Sequence, residues 1–226
     1  MKINAIITGA TGMVGKGVLL ECLDSTDVES VLIISRRPIG MKHTKLKEII
    51  LSNFFDLSSV TEELKGYNAC FFCLGVSSLG KSEQVYTNLT YHLTTHFADA
   101  LIKQNPDMTF CYVSGAGTDS TEKGKFMWAR VKGRTENAIL AMPFRAKYMF
   151  RPGIIIPEKG VKSRTKLYNS IYVILKPLLP YMKNLFPKSI TTSINVGKAM
   201  INVTLNGYGK SYLENNDINI AAGKGA

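Results

Sequence analysis

Thr8-Gly9-Ala10-Thr11-Gly12-Met13-Val14-Gly15 is the stretch on which the reading of this chain turns. The apolar run before it, Ile3 to Ile7, reads as a buried strand, and Val14-Gly15-Lys16-Gly17-Val18-Leu19-Leu20 reads as the start of a helix. Strand, glycine turn and helix together form the setting in which a dinucleotide is held. Gly9 permits the tight turn, Gly12 lets a pyrophosphate approach bare main chain, and Gly15 lets helix and strand pack closely. The unpaired N–H groups that open the helix face the phosphates. Thr8, Thr11, Met13 and Val14 complete the candidate contacts of this turn.

Outward from the turn, strands and helices alternate, which predicts an α/β fold: a Rossmann-type, doubly wound parallel sheet in a single domain spanning 1–226. Val31 to Ser35 is the second strand, and its carboxyl end is where the adenosine ribose of a dinucleotide is read. An acidic residue there accepts from a 2′-hydroxyl, but this chain has Ser35-Arg36-Arg37-Pro38. A guanidinium suits a 2′-phosphate through forked, charge-assisted hydrogen bonds, so the expected cofactor is NADP(H).

Leu46 to Leu51 reads as a short strand and Ser58 to Lys65 as a helix, with Asp56 a candidate N-cap. Ala69 to Gly75 is a continuous apolar run suited to a central parallel strand. Its end, Leu74-Gly75-Val76-Ser77-Ser78, is expected beside the cofactor's ribose and phosphates, Gly75 having no side chain to obstruct them. Residues 82–104 read as one amphipathic helix with Val85, Leu89, Leu93, Phe97 and Leu101 on its inner face. His92 and His96 lie on it at i, i+4 without a carboxylate at metal-ligand spacing, so no metal is expected. Cys22, Cys70, Cys73 and Cys111 sit among apolar neighbours and read as reduced, buried thiols. The Cys70/Cys73 pair lies along a strand, where residues three apart face opposite ways.

Thr109 to Ser114 reads as the fifth strand, which places Ser114 at the carboxyl end of the sheet near the nicotinamide. A helix from about Lys125 to Met142 follows, with Trp128 and Lys132 one turn apart on a shared face. Lys147 to Phe150 is the sixth strand, ending in Arg151-Pro152-Gly153.

The order of Gly9/Gly12/Gly15, Arg36-Arg37, Cys73-Leu74-Gly75, Ser114, Val131-Lys132-Gly133 and Phe150-Arg151-Pro152-Gly153 resembles the atypical short-chain dehydrogenase/reductases. Within them it is most similar to the Tat-interacting oxidoreductase group and its bacterial relatives described as nucleoside-diphosphate-sugar epimerases or NAD(P)H-binding proteins. The resemblance spans essentially the whole chain. It implies that Asp56, with Leu57, stands beside the adenine amino group, an alternative to the capping role. It also implies that Pro152 and Gly153 form the turn beside the nicotinamide carboxamide.

In that superfamily a Ser and a Tyr-x-x-x-Lys pair carry the chemistry: the lysine binds the nicotinamide ribose and lowers the tyrosine pKa, while the phenol exchanges a proton with substrate. Ser114 and Lys132 match, but Trp128 stands in the tyrosine position, and an indole N–H donates without titrating near neutral pH. The candidate catalytic set is therefore Ser114, Lys132 and Trp128, with Ser114, Thr118, Tyr86 and Tyr112 as hydroxyls that could stand in for the phenol. The leading expectation is an NADP(H)-dependent oxidoreductase acting on a small carbonyl or hydroxyl compound. A catalytically silent NADPH-binding regulatory protein is the alternative. Sugar-nucleotide epimerisation ranks lower, because such enzymes need a larger substrate-binding part than the stretch after the last core strand.

The formal net charge is +11, and residues 145–188 hold ten Lys and Arg against Glu158 alone. Such a region attracts an anionic substrate or an acidic membrane surface, while no recognition motif points to specific nucleic-acid binding. Residues 157–188 break the strand–helix rhythm and, by the resemblance, form a small helical segment covering the substrate. The longest apolar stretch, 171–186, is interrupted by Lys176, Pro177, Pro180 and Lys183 and does not qualify as a membrane span. With the first strand starting at once after Met1-Lys2, the expectation is a cytoplasmic protein, a monomer or homodimer. Asn195 to Leu205 reads as a further helix and Ser211 to Ile220 as closing extended structure.

Overall fold

The six strands expected up to Phe150 all become strands of one sheet. In the computed structural model, which describes residues 1–161 and 189–223, the order is β1 (Ile3–Thr8), α1 (Met13–Asp24), β2 (Val28–Ser35), β3 (Leu46–Ile50) and β4 (Ala69–Phe72). A helix in three parts follows: α2 (Glu83–Thr87), a π turn (Asn88–His92) and α3 (Leu93–Gln104). Then come β5 (Thr109–Val113), α4 (Met127–Ala141), β6 (Ala146–Arg151), β7 (Ile154–Ile156), β8 (Ile190–Thr192), α5 (Ser193–Asn206), β9 (Tyr212–Glu214) and α6 (Asn215–Ala221). The segment expected to cover the substrate lies almost wholly outside the described residues.

The strands assemble in the order β3-β2-β1-β4-β5-β6-β9, all pairs parallel. This is the Rossmann-type sheet expected from the alternation. Successive residues of a strand face opposite layers, so Ile3, Ala5 and Ile7 enter one core with Val18 and Leu19 of α1 and Val196 and Met200 of α5. Ile6, Leu32, Phe72 and Phe110 enter the other with Phe97, Leu101 and Ile139 of α3 and α4. Cys70 packs in the second core and Cys73 against the first, as alternation requires. All four cysteines are free, and burial raises the Cys73 thiol to about 12.

Three elements differ from the reading of the sequence. On the helix from residue 83, Val85 is 48 % exposed and Tyr86 is 1 % exposed, the reverse of the expected register. The π turn adds a residue between α2 and α3, which rotates the inner face by about 100°. Residues 58–65 form two short 3-10 turns, Ser58–Val60 and Glu62–Leu64, in place of an α-helix. Extended structure after Ser211 lasts only through β9, because Glu214 and Asp217 form a capping box that starts α6. A second, two-stranded sheet of β7 and β8 has no counterpart in the sequence reading.

Candidate functional site

Chain connections leave β1 and β4 toward opposite halves of the sheet, so a crevice opens at their carboxyl ends. The glycine turn sits there. Gly9 has φ +71°, and a Cβ on it would lie 2.5 Å from the Cys73 carbonyl oxygen. A Cβ on Gly15 would lie 2.3 Å from the Gly9 carbonyl oxygen. Protein packing alone demands both glycines. Gly12 differs, since its Cβ would meet only the Gly9 oxygen at 3.3 Å, so its missing side chain chiefly keeps the opening of α1 uncovered. Gly12 is the N-cap residue, gives α1 no side-chain cap, and is followed by no acidic residue in the first turn. These features fit an anion at the opening of α1. Thr8 is buried, and its Oγ1 accepts from the Leu74 N–H at 3.3 Å, tying the ends of β1 and β4 together.

At one end of the crevice a cavity of about 420 Å³ is lined by Gly9, Thr11, Ser35, Arg36, Arg37 and Leu74, with Ile34, Ser52 and Phe54 as further walls. Arg36 and Arg37 are exposed. Glu48 on the neighbouring strand is engaged elsewhere: its Oε1 accepts from the Ile39 N–H at 2.9 Å and from Ser35 Oγ at 3.3 Å. Ser35 Oγ also donates to the Arg37 carbonyl at 2.7 Å, which fixes the bend that presents both guanidinium groups. Asp56 and Leu57 are not brought into this cavity. Asp56 is exposed and its Oδ1 accepts from the Ser58 N–H at 3.1 Å and Oγ at 2.6 Å, a local turn that holds the carboxyl below its ordinary pKa, while the N-cap position before Ser58 falls on Leu57. Leu57 is packed in the second core. Ser52 and Phe54, which the sequence did not single out, stand where those two were expected.

At the other end a cavity of about 580 Å³ is lined by Gly12, Met13 and Val14 of the turn, Cys73, Gly75, Val76, Ser77 and Ser78 after β4, and Tyr86, Val113, Trp128 and Lys132. Trp128 stands against Gly117, where a Cβ would come 3.4 Å from the indole ring. Lys132 Nζ donates to the Ser114 carbonyl oxygen. Burial brings the Lys132 ammonium down to about 8 despite the opposing charge of Glu136 one turn along α4.

Ser114 is placed differently from its expected role. Val113 faces the cavity, so its neighbour Ser114 turns the other way: its Oγ donates to Glu136 Oε1 at 2.5 Å and to the Phe150 carbonyl at 3.1 Å. Glu136, fully buried, accepts from Arg151 Nε at 3.0 Å on Oε1 and from Arg151 Nη2 at 2.5 Å on Oε2. Arg151 in turn stacks over Tyr212 at 4.4 Å and donates to Ser120 Oγ. Ser114 thus offers its carbonyl to Lys132, while its hydroxyl belongs to a buried ion pair joining β5, β6 and α4. The signal for Glu136 in the sequence is its i, i+4 spacing from Lys132. Pro152 and Gly153 stand at the end of β6, the Pro152 carbonyl accepting from the Ala116 N–H at 2.9 Å and the Gly153 N–H donating to Asn215 Oδ1 at 3.1 Å. Neither lines the two cavities.

Part of the basic excess is also accounted for internally: besides Arg151, Lys159 pairs with Glu21 at 2.6 Å and Asp24 at 2.7 Å. Among the described residues no helix is long and apolar enough to cross a membrane, and no group of three His, Cys, Asp or Glu is placed to hold a metal.

A seven-stranded parallel sheet with a glycine turn at its crevice defines a nucleotide-binding protein of the Rossmann class. The chain belongs to the NAD dependent epimerase/dehydratase family, whose profile matches residues 5–133. Among curated relatives, it is 28% identical over 177 residues to "Protein FMP52-1, mitochondrial" of Scheffersomyces stipitis, covering 77% of this chain and 76% of the relative. It is 23% identical over 158 residues to "Protein HTATIP2" of Rattus norvegicus, covering 69% and 64%. That relative is the Tat-interacting protein toward which the sequence pointed. Among solved structures, a short chain dehydrogenase family protein from Francisella tularensis superposes with TM-score 0.62 at 17% identity, covering 92% and 93%. A UDP-glucuronic acid 4-epimerase from Bacillus cereus superposes with TM-score 0.66 at 11% identity, covering 93% and 76%. Family and fold together give the chain a nicotinamide-dinucleotide-binding, oxidoreductase-type function. The expected cytoplasmic location is overturned, since five FMP52 relatives are named mitochondrial. Compartment is written in short receptor-read signals that composition and core periodicity do not register.

Proposed function

We propose that this protein is an NADP(H)-dependent oxidoreductase of the short-chain type, interconverting a small carbonyl compound and its alcohol. The observation that carries the reading is one crevice with two arginines and no competing acid at one end, and Lys132 beside Trp128 at the other. Gly9, Thr11, Gly12, Met13, Val14 and Gly15 would surround the pyrophosphate, and Ser35, Arg36 and Arg37 the 2′-phosphate. Leu74 and Gly75 would border the ribose, and Lys132, held by the Ser114 carbonyl, would donate to the nicotinamide ribose. When bound, the dinucleotide supplies or accepts the hydride; this chain orients it and keeps water from the ring. Trp128 would wall the ring's side of the cavity and present one N–H.

Stopped-flow absorbance of NADPH with a panel of aldehydes and ketones tests the reading. Oxidation of NADPH by at least one carbonyl, weakened when Lys132 is changed to Met, supports it. Tight NADPH binding with no oxidation across the panel favours a silent binder, a reading that Trp128 in the tyrosine position motivates. Trp128→Tyr separates the two further, because a large gain in turnover would mean that an ancestral activity had been lost.

A further inference from the structure

We propose that Tyr86 supplies the phenolic proton that the short-chain pattern takes from position 128, an inference that rests on the crevice being the dinucleotide site. Four hydroxyls are open to this role by sequence, and the structure turns three away. Ser114 Oγ is bound to Glu136, Thr118 Oγ1 donates to the Gly115 carbonyl at 2.7 Å, and Tyr112 is packed in the second core. Tyr86 is the one tyrosine among the described residues that lines the cavity shared by Lys132 and Trp128.

The backbone explains how it arrives there. Tyr86 lies in α2, and the π turn beginning at Asn88 rotates α2 relative to α3 so that Tyr86, and not Val85, turns inward. Arg130 Nη2 pairs with Glu83 at 2.7 Å, clasping α2 to the helix that bears Trp128 and Lys132. The Thr90 hydroxyl one turn along is buried with no hydrogen-bond partner among the described residues, and its nearness favours the ionised form of the phenol, while burial raises its pKa overall. The other titratable groups around it are Lys132 from α4, Tyr112 from β5 and Cys73 after β4.

In the reducing direction NADPH, when bound, would supply the hydride to the carbonyl carbon, and the C=O π pair would move to oxygen. The Tyr86 O–H bond breaks as a new O–H bond forms on that oxygen, and the phenolate regains its proton from water. The carbonyl would leave as an alcohol and the dinucleotide as NADP⁺.

The test compares wild type with Tyr86→Phe, which removes one oxygen, through tyrosinate absorbance across the alkaline range with and without NADP⁺. Dinucleotide binding is read separately from the emission of Trp128, the single tryptophan of the chain. The expected result is quenching by NADP⁺ in both proteins. In wild type, one tyrosinate step also moves down by about a pH unit when the cationic ring binds, and Tyr86→Phe lacks that step. Quenching in both proteins with the same tyrosinate steps overturns the assignment to Tyr86 and leaves the dinucleotide reading intact. No quenching of the wild type overturns the dinucleotide reading and the proposal with it.

Discussion

The two ends of the crevice differ in how far they keep the short-chain pattern. At the end lined by Arg36 and Arg37, packing demands Gly9 and Gly15 of the glycine turn, and the two exposed guanidinium groups open on the cavity. At the opposite end Lys132 and Trp128 share the cavity, and the Ser114 hydroxyl is drawn into the ion pair of Glu136 with Arg151. Holding a dinucleotide needs bare main chain and charge, which few residues can supply. Moving a proton needs one titrating group within reach, and more than one position around a cavity can provide it. The difference teaches that binding geometry and reaction chemistry can part company within a single cleft.

The largest effect expected from breaking this contrast lies in the buried ion pair. Glu136→Ala takes the bidentate carboxylate from Arg151 and leaves the half-exposed Glu214 at 3.5 Å as its remaining partner, costing roughly 3 kcal/mol in urea unfolding. Ser114→Ala should lower stability less, by about 1–2 kcal/mol, because it removes one hydrogen bond to that carboxylate. A Ser114→Ala variant of unchanged stability that loses all turnover would contradict the placement of the hydroxyl away from the reaction.

A smaller effect separates the cofactors. Arg36→Ala should weaken NADPH about 10- to 100-fold, read from its fluorescence on binding, and leave NADH within about twofold, since charge-assisted hydrogen bonds contribute roughly 1.5–3 kcal/mol. Equal losses for both would mean that Arg36 does not face a 2′-phosphate.

The last contrast is a pH dependence. Burial lowers the Lys132 ammonium from 10.5 to about 8, so between these values the unfolded chain binds more protons than the folded one at this site. Stability from Lys132 therefore rises with pH through that window and is lost as pH falls back toward 8. The stability of wild type relative to Lys132→Met should climb from about pH 8 toward 10, measured by urea titration. A flat difference would place the lysine in water.

Much of this is legible because burial writes itself into residue type. β1, β2, β4 and β5 are runs of apolar residues, and the glycine turn announces its own backbone demands. What escapes does so for local reasons. The π turn leaves no mark in a four-residue periodicity, which turns Val85 inward where the structure turns Tyr86. Position at the end of β5 puts Ser114 at the site, although the alternation that parts Cys70 from Cys73 also turns it away from Val113 and the cavity. The start of α6 is hidden, although Glu214 and Asp217 carry a capping signature, because a three-residue strand precedes it. Asp56 leaves a cap and an adenine contact open; its hydrogen bonds to Ser58 close a local turn, and the N-cap position falls on Leu57.

The claim on which the rest stands is that the crevice above β1 and β4 holds a phosphorylated dinucleotide. Isothermal titration of the wild-type protein with NADPH and with NADH tests it most directly. The predicted result is saturable heat with NADPH and a Kd for NADH at least about tenfold weaker. Absence of heat with either, or tighter binding of NADH, would contradict it.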